Sequence, residues 1–312
     1  MNLAGLKSWL RHRLLALRAG RRYAVFPEMV PALHCPEGYT RDSLLALLSG
    51  YVLEGTDGRI RQEFETYLRE SFKRSVYTLN LIPPGQGSLL EIGSQPYFTS
   101  ILIRKFTDYD LHCTNYFGGP RETRVDTMRN PSTGDEMRFE YINSNIEEEA
   151  PSSDKYDVVL CCEVIEHLTM DPMGALLRLK TTLKENGHLI LTTPNVNRLE
   201  NVAKMLAGVN IHDPYSGYGM YGRHNREYNK HELHLLLTHL GFEIEVMFSA
   251  DVYPNRAQQY FSFNRYRRLV EFRSLDLGQY IFLRARNTSE ARTCKPNWLY
   301  RNYVAGDLCP DC

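Results

Sequence analysis

The chain has 312 residues and a formal net charge of zero, with 43% hydrophobic and 24% charged residues. That length holds one large domain with extensions or two small ones, and the composition is that of a globular chain, not a disordered or fibrous one. Balanced charge excludes an extended nucleic-acid footprint, which needs clustered Lys and Arg, and no apolar run reaches the ~20 residues of a membrane span.

Residues 1–22 carry Lys7, Arg11, Arg13, Arg18, Arg21 and Arg22 with no acid before Glu28. Leu3, Leu6, Trp9, Leu10, Leu14 and Leu17 recur at helical spacing, and the charges interrupt any signal-peptide core. The segment reads as a basic amphipathic helix, suited either to an anionic membrane surface or to packing on the domain. Residues 23–58, with Pro27, Pro31 and Pro36, read as irregular. An amphipathic helix is predicted over 59–80, closed by Pro83-Pro84-Gly85. A strand–helix alternation then sets in. Strands are predicted at Ser88–Ile92, Leu111–Tyr116, Arg138–Ile142, Val158–Cys162 and His188–Thr193, and helices at Phe98–Phe106 and Pro172–Leu183. Asp213–Tyr228 is dense in Gly and Tyr and too long for an idle connector, so it reads as a lid. A helix over Lys230–His239 and strands near Phe242–Phe248 and Gln279–Arg284 complete the pattern. The expected division is an extension over 1–58, an α/β domain over 59–286, and a surface tail over 287–312. Repeated βα units predict a doubly wound, Rossmann-like, mostly parallel sheet with helices on both faces.

The most informative stretch is Tyr156–Leu168. Residues 158–162 are apolar without alternation, as in a strand covered on both faces. Glu163, Glu166 and His167 follow at i, i+3, i+4, so a helical turn there would put all three on one face. Open α/β sheets place their ligands at such strand ends. Two acids and an imidazole suit either a divalent cation or a general base with its orienters. Near the first strand, Glu91-Ile92-Gly93 offers an acid and a turn that lets backbone approach a ligand. The seven cysteines have no framework spacing and two of them, Cys161 and Cys162, fall within the buried strand. They read as reduced thiols of a reducing, cytoplasmic compartment. The terminal Cys309-Pro-Asp-Cys312 has the spacing of a metal or disulfide pair but no second such pair, and reads as incidental. His231, His234 and His239 read as surface or satisfied histidines of one helix.

The whole pattern resembles the class I S-adenosylmethionine-dependent methyltransferases over roughly residues 60–285. The specific stretches are Glu91-Ile-Gly93, Tyr156–Leu168, Leu183–Asn195 and Gly222-Arg-His-Asn-Arg-Glu-Tyr228. Within that superfamily it looks most like bacterial methyltransferases encoded with polysaccharide-synthesis genes. The resemblance implies a seven-stranded sheet whose last strand runs antiparallel. It places Glu91, Gly93 and Ser94 at the cofactor's amino acid part, Asn115 at its ribose, Asn145 and Ile146 at its adenine, and Cys162 beside it. Gln95 and Tyr97 stand where the family has further glycines, and both amides replace acids. The Glu-x-x-Glu-His pattern followed by a histidine resembles metal-dependent small-RNA 2′-O-methyltransferases, and the first part alone resembles ubiquinone-pathway O-methyltransferases. It implies Glu163, Glu166, His167 and His224 as ligands for Mg²⁺ or Mn²⁺, with His167 and Glu166 as the catalytic pair. The implied reaction is O-methylation of a sugar hydroxyl on a glycan acceptor. Methylation of RNA or a small catechol is the enzymatic alternative, and a non-catalytic cofactor-binding scaffold for a glycosyltransferase the other. On the glycan reading the tyrosines of the lid cover the sugar, and residues 1–22 give peripheral contact with the inner membrane.

Overall fold

Apolar runs without alternation become the central strands. The computed structural model describes Leu10 and residues 29–304 and 306–309; the basic helix expected over 1–22 otherwise lies outside the described residues. The strands are β1 (Val52–Leu53), β2 (Gln86–Ile92), β3 (Asp108–Asn115), β4 (Glu122–Arg129), β5 (Glu136–Asn143), β6 (Tyr156–Cys162), β7 (Leu183–Pro194), β8 (Phe242–Ala250) and β9 (Tyr280–Asn287). They form one sheet in the order β1-β4-β5-β3-β2-β6-β7-β9-β8. Seven of them, from β5 to β8, match the expected doubly wound sheet. Its last strand, β9, runs antiparallel to both neighbours. The strand order reverses between β2 and β6, which are parallel neighbours, and ligands of such sheets bind at that crevice.

Two strands exceed the expectation. β4 pairs antiparallel with β5, and β1 with β4, extending one edge. β4 reads Glu-Thr-Arg-Val-Asp-Thr-Met-Arg, and only Met128 in it is buried. A hairpin arm at a solvated edge carries too little apolar pattern to be recognised from sequence.

The helices include α1 (Arg41–Ser49), α2 (Gly58–Leu81), α3 (Phe98–Phe106), α4 (Pro172–Thr182), α5 (Leu199–Leu206) and α6 (Lys230–His239). α1 lies in the stretch expected to be irregular. Thr40 and Ser43 form a reciprocal capping box that starts it, and Leu44 and Leu48 bury its apolar face. α2 starts where the Asp57 carboxylate accepts the Ile60 N–H, 2.9 Å. In its C-terminal half Leu68, Ser71, Phe72, Leu81 and the run from Arg74 to Leu79 are buried. α4 ends at Thr182, one residue short of the expected Leu183, because Leu183 already pairs with Tyr156 of β6.

The core is two-sided. Val158 and Leu160 join one hydrophobic cluster, with Phe72, Val76 and Phe282, while Val159 and Cys161 join the other, with Leu176, Leu189 and Leu236. This alternation on a strand buried on both faces is why β6 reads as a continuous apolar run.

The tail expected at the surface folds back. Tyr300 is buried; its hydroxyl donates to Asp171 and accepts the Met173 N–H, 3.0 Å. The Lys295 ammonium lies 2.6 Å from Asp171. Four described cysteines, Cys35, Cys113, Cys161 and Cys162, are free thiols, as expected. Cys294 and Cys309 depart from that expectation, for their sulfurs are joined, with Cα atoms 5.1 Å apart.

Candidate active site

β6 delivers its carboxylates by a tight turn instead of a helix. Glu163 takes a left-handed backbone (φ 57°) and is followed by a single 3₁₀ turn over Ile165–His167. The expected common face of Glu163, Glu166 and His167 is thereby broken, because the left-handed residue swings Glu163 away from the other two. Its carboxylate meets Arg74 of α2 (3.0 Å) and accepts from the Thr192 hydroxyl (2.8 Å). Glu163 is therefore an ion-pair partner, and the expected four-ligand set loses it.

The other three residues do converge. One ligand atom from each of Glu166, His167 and His224 lies within 4.8 Å of the others. Glu166 is fully buried; its Oε2 accepts from the Thr193 hydroxyl (3.0 Å), and its Oε1 has no hydrogen-bond partner among the described residues. His167 Nδ1 bonds to the Arg223 carbonyl (2.9 Å), which fixes that nitrogen as the protonated one and leaves Nε2 as a base 4.0 Å from Glu166 Oε1. His224 Nδ1 bonds to Glu227 Oε1 (2.9 Å), again freeing Nε2. Arg198 holds the other oxygen of Glu227. Imidazoles tied at one nitrogen by a carboxylate or carbonyl are the usual arrangement behind a metal site.

The lid is fastened to this turn. Asn225 donates its backbone N–H to the Glu166 carbonyl (2.7 Å) and its side-chain amide to the carbonyls of His167 (2.9 Å) and Met220 (2.8 Å). Tyr215 and Tyr218 stand out into solvent, at 92% and 72% exposure, whereas Tyr228 is buried in the core.

Burial governs the electrostatics. It pushes Glu166 well above the usual carboxyl range, with the nearby Glu163 adding to the rise. Burial also raises Glu163, against the pull of Arg74 and Thr192. His167 is lowered, first by burial and then by His224, which keeps it neutral near pH 7. Burial alone would raise Glu227, but His224 and Arg198 outweigh it and hold the carboxyl low. Arg74 is 7% exposed, and Glu163, Tyr67 and Tyr280 more than offset the cost of burying its charge.

A cavity of about 240 Å³ opens at the β2–β6 crevice. Gly93 (φ 71°) lines it, as do Asn115, Asn145 and Ile146, together with Tyr116 and Phe117 just beyond β3. The two amides are not free to face a ligand fully. Asn115 Oδ1 accepts the Gln95 N–H (3.0 Å) and the Ser94 hydroxyl (3.3 Å), while its Nδ2 donates to Tyr97 (3.1 Å). Asn145 Oδ1 accepts the Glu147 N–H (2.9 Å), and its Nδ2 donates to Glu148 (2.9 Å) and Tyr221 (3.1 Å). These bonds hold the loops where the family's missing glycines and acids would be. Glu91, Ser94 and Cys162 line a recess of about 30 Å³ beside Gly93. Burial lifts Glu91 to about 7, and a hydrogen bond from Ser100 holds it back. Burial pushes the Cys162 thiol up to about 12, so it is no nucleophile.

A second cleft, about 490 Å³, lies on the far side of the turn and is lined by Tyr67, Arg74, Glu166, His224 and Tyr280. Gly93, Gln95, Glu163 and His167 wall both spaces. Arg74 and Glu227 were missed from sequence. The cation in the apolar face of α2, and the acid three residues after His224, are the signals that mark them.

A crevice at the strand reversal with a glycine turn at its mouth, and an imidazole walling two cavities, is the layout in which doubly wound α/β proteins place a ligand. The chain belongs to the methyltransferase domain family, whose model matches residues 64–246. It is 30% identical over 128 residues to the ubiquinone biosynthesis O-methyltransferase of Rickettsia canadensis (strain McKiel), covering 40% of this chain and 51% of that protein. The corresponding Rickettsia bellii (strain OSU 85-389) protein is 27% identical over 128 residues, covering 40% and 50%. The chain thus spans about half the length of the relatives it matches. A SAM-dependent methyltransferase structure from Archaeoglobus fulgidus is similar at 14% identity and a TM-score of 0.46, covering 74% of this chain and all of that one.

Proposed function

We propose that this protein is an S-adenosylmethionine-dependent O-methyltransferase acting on a sugar hydroxyl of a bacterial surface polysaccharide or its precursor, with a divalent cation held by Glu166, His167 and His224. The observation that carries the hydroxyl chemistry is the partnerless Glu166 Oε1 beside two imidazoles whose Nδ1 atoms are tied down. Two imidazoles and one carboxylate fit Mn²⁺ in donor type, whereas Mg²⁺, which takes oxygen ligands, loses its fit with Glu163; the free oxygen is the orphan such an ion would satisfy. A bound ion would lower the pKa of a hydroxyl and fix its direction. The cofactor supplies an electrophilic methyl that needs little activation. The crevice cavity suits its adenosine part, and its amino acid part would run past Gly93 toward Glu91, where the recess of about 30 Å³ has room for a single small polar group.

The chain's own part is positioning and proton transfer. His167 borders both spaces: with an ion bound, its Nε2 would be a ligand and the hydroxyl would give its proton to solvent before attack; with none bound, the neutral Nε2 accepts the hydroxyl proton as the C–O bond forms and the methyl–sulfur bond breaks. Arg223 holds the ring in that tautomer, and Glu227 does the same for His224. Arg74 and Glu163 form the charged wall of the acceptor cleft, and the polar character of that wall favours a sugar over a flat aromatic ring. The names of the Rickettsia proteins favour a second reading, in which the acceptor is a phenolic precursor. Residues 1–22, outside the described structure, would hold a lipid-linked acceptor at the inner membrane; among the described residues no helix is long and apolar enough to cross one.

Calorimetric titration with S-adenosylhomocysteine, with and without Mn²⁺, tests the reading on wild type and on Glu166→Ala and His167→Ala. Cofactor binding plus a metal signal lost in the variants supports it. Cofactor binding without a metal signal leaves His167 as a plain general base, and no cofactor binding overturns the enzyme reading. Methyl transfer to a quinone precursor but not to glycans would establish the phenolic alternative.

A further inference from the structure

The segment after β9 returns to the end of α6, and three metal-type side chains meet there. His239 is the last residue of α6 and is 8% exposed; Cys309 is 6% exposed, and Cys294 is half-buried. One ligand atom from each lies within 4.8 Å of the others. His239 Nε2 is 3.9 Å from Cys309 Sγ and bonds to the Cys294 carbonyl at 2.8 Å. The backbone pins the two cysteines together: Lys295 N–H donates to Asp307 (2.7 Å), and Cys309 N–H donates to Lys295 (3.0 Å). In sequence, Cys309 opens Cys309-Pro-Asp-Cys312, the spacing of a zinc-ligand pair, although Cys312 lies outside the described residues. This cluster lies at the end of α6, apart from the turn that carries Glu166.

We propose that His239, Cys294 and Cys309 form a structural zinc site that fastens the C-terminal segment to α6. Two thiolates and an imidazole are a borderline-soft donor set that selects Zn²⁺ over the Mg²⁺ or Mn²⁺ suited to a carboxylate site. Ligation through Nε2 replaces its bond to the Cys294 carbonyl and moves the ring proton to Nδ1. The joined sulfurs are the metal-free oxidised form of the pair, and the zinc form needs both as thiolates. Four other described cysteines are unpaired, which fits a chain kept reduced. In such a chain a metal, not a disulfide, is the durable way to join two cysteines.

The test is zinc content by mass spectrometry on the full chain, purified with reductant. One equivalent of zinc is expected, retained in Glu166→Ala/His224→Ala and lost in Cys294→Ser and in His239→Ala. Retention in the first variant separates this site from the catalytic one. A second readout avoids dependence on variant folding. Thiols titrated in guanidinium with chelator, on wild type purified without reductant under anaerobic conditions, should count all seven cysteines. Two fewer thiols, with no zinc, overturns the proposal and leaves a disulfide in its place. So does a zinc equivalent that disappears with Glu166 and His224 but survives loss of Cys294.

Discussion

A buried carboxylate oxygen with no donor in reach costs about 1–3 kcal/mol, and Glu166 Oε1 is such an atom. Its folded pKa lies above its ordinary value, so the folded state binds the extra proton. The stability this provides is complete below the unfolded pKa and is lost as pH rises toward the folded one. Glu166→Gln does not titrate. In chelator it should exceed wild-type stability by about 1–3 kcal/mol at pH 8, with the gap closing toward pH 4, as read by urea unfolding. A gap that ignores pH would count against a carboxyl held protonated in the apo protein. His167 shifts the other way, and a base must be neutral. The acid limb of kcat/KM should therefore fall only below about pH 6.5, the ordinary histidine value, and His167→Gln should cost about 10²–10⁴-fold in rate. A limb above pH 7 would assign the proton elsewhere. Arg74→Met leaves the buried Glu163 carboxylate without its counter-charge. We expect a loss of about 3–5 kcal/mol by denaturant unfolding, larger than for any exposed ion pair such as Arg267–Glu271. Of these residues, Glu166, His167 and His224 were legible in sequence. Glu163 was misplaced, because its left-handed backbone leaves no mark in the residue types around it.

At the scale of elements, legibility followed burial. α3 and α6 have the expected limits, and β6 and β7 the expected position, because each carries an apolar face or run. β1 and β4 were not found, since they are short or solvated and rest on hairpin pairing; α1 was not found because its two buried leucines are too few to set a helical period. The lid was legible as a long Gly- and Tyr-rich stretch, but its attachment was not. Asn225 supplies that attachment, through side-chain bonds that no periodicity shows. Asn225→Ala removes three side-chain hydrogen bonds, the two it donates and the one it accepts from Arg223, about 2–4 kcal/mol together. It should speed limited proteolysis between residues 215 and 222 and raise acceptor KM about tenfold. S-adenosylhomocysteine affinity should stay within about twofold. Equal losses for both ligands would mean that the lid belongs to the cofactor cavity instead.

For the whole molecule, stability and chemistry are separable. Leu160→Ala, in the centre of β6, should cost about 2–5 kcal/mol in chemical unfolding, whereas Tyr215→Ala at the lid tip should stay within about 0.5 kcal/mol and act on acceptor KM alone. The doubly wound core was legible because strand spacing and helix length dictate it. The folded-back tail was not, since its contacts with Asp171 and Met173 are single polar anchors far apart in sequence. The two cavities share Gly93, Gln95, Glu163 and His167 as walls. An occupant of one cavity thus rebuilds the surface that the other presents. Thermodynamic reciprocity then requires each ligand to alter the other's affinity by the same factor. On the proposed function, the spent cofactor in one cavity would set the affinity of the other for its acceptor, so turnover would respond to how fast that product is cleared.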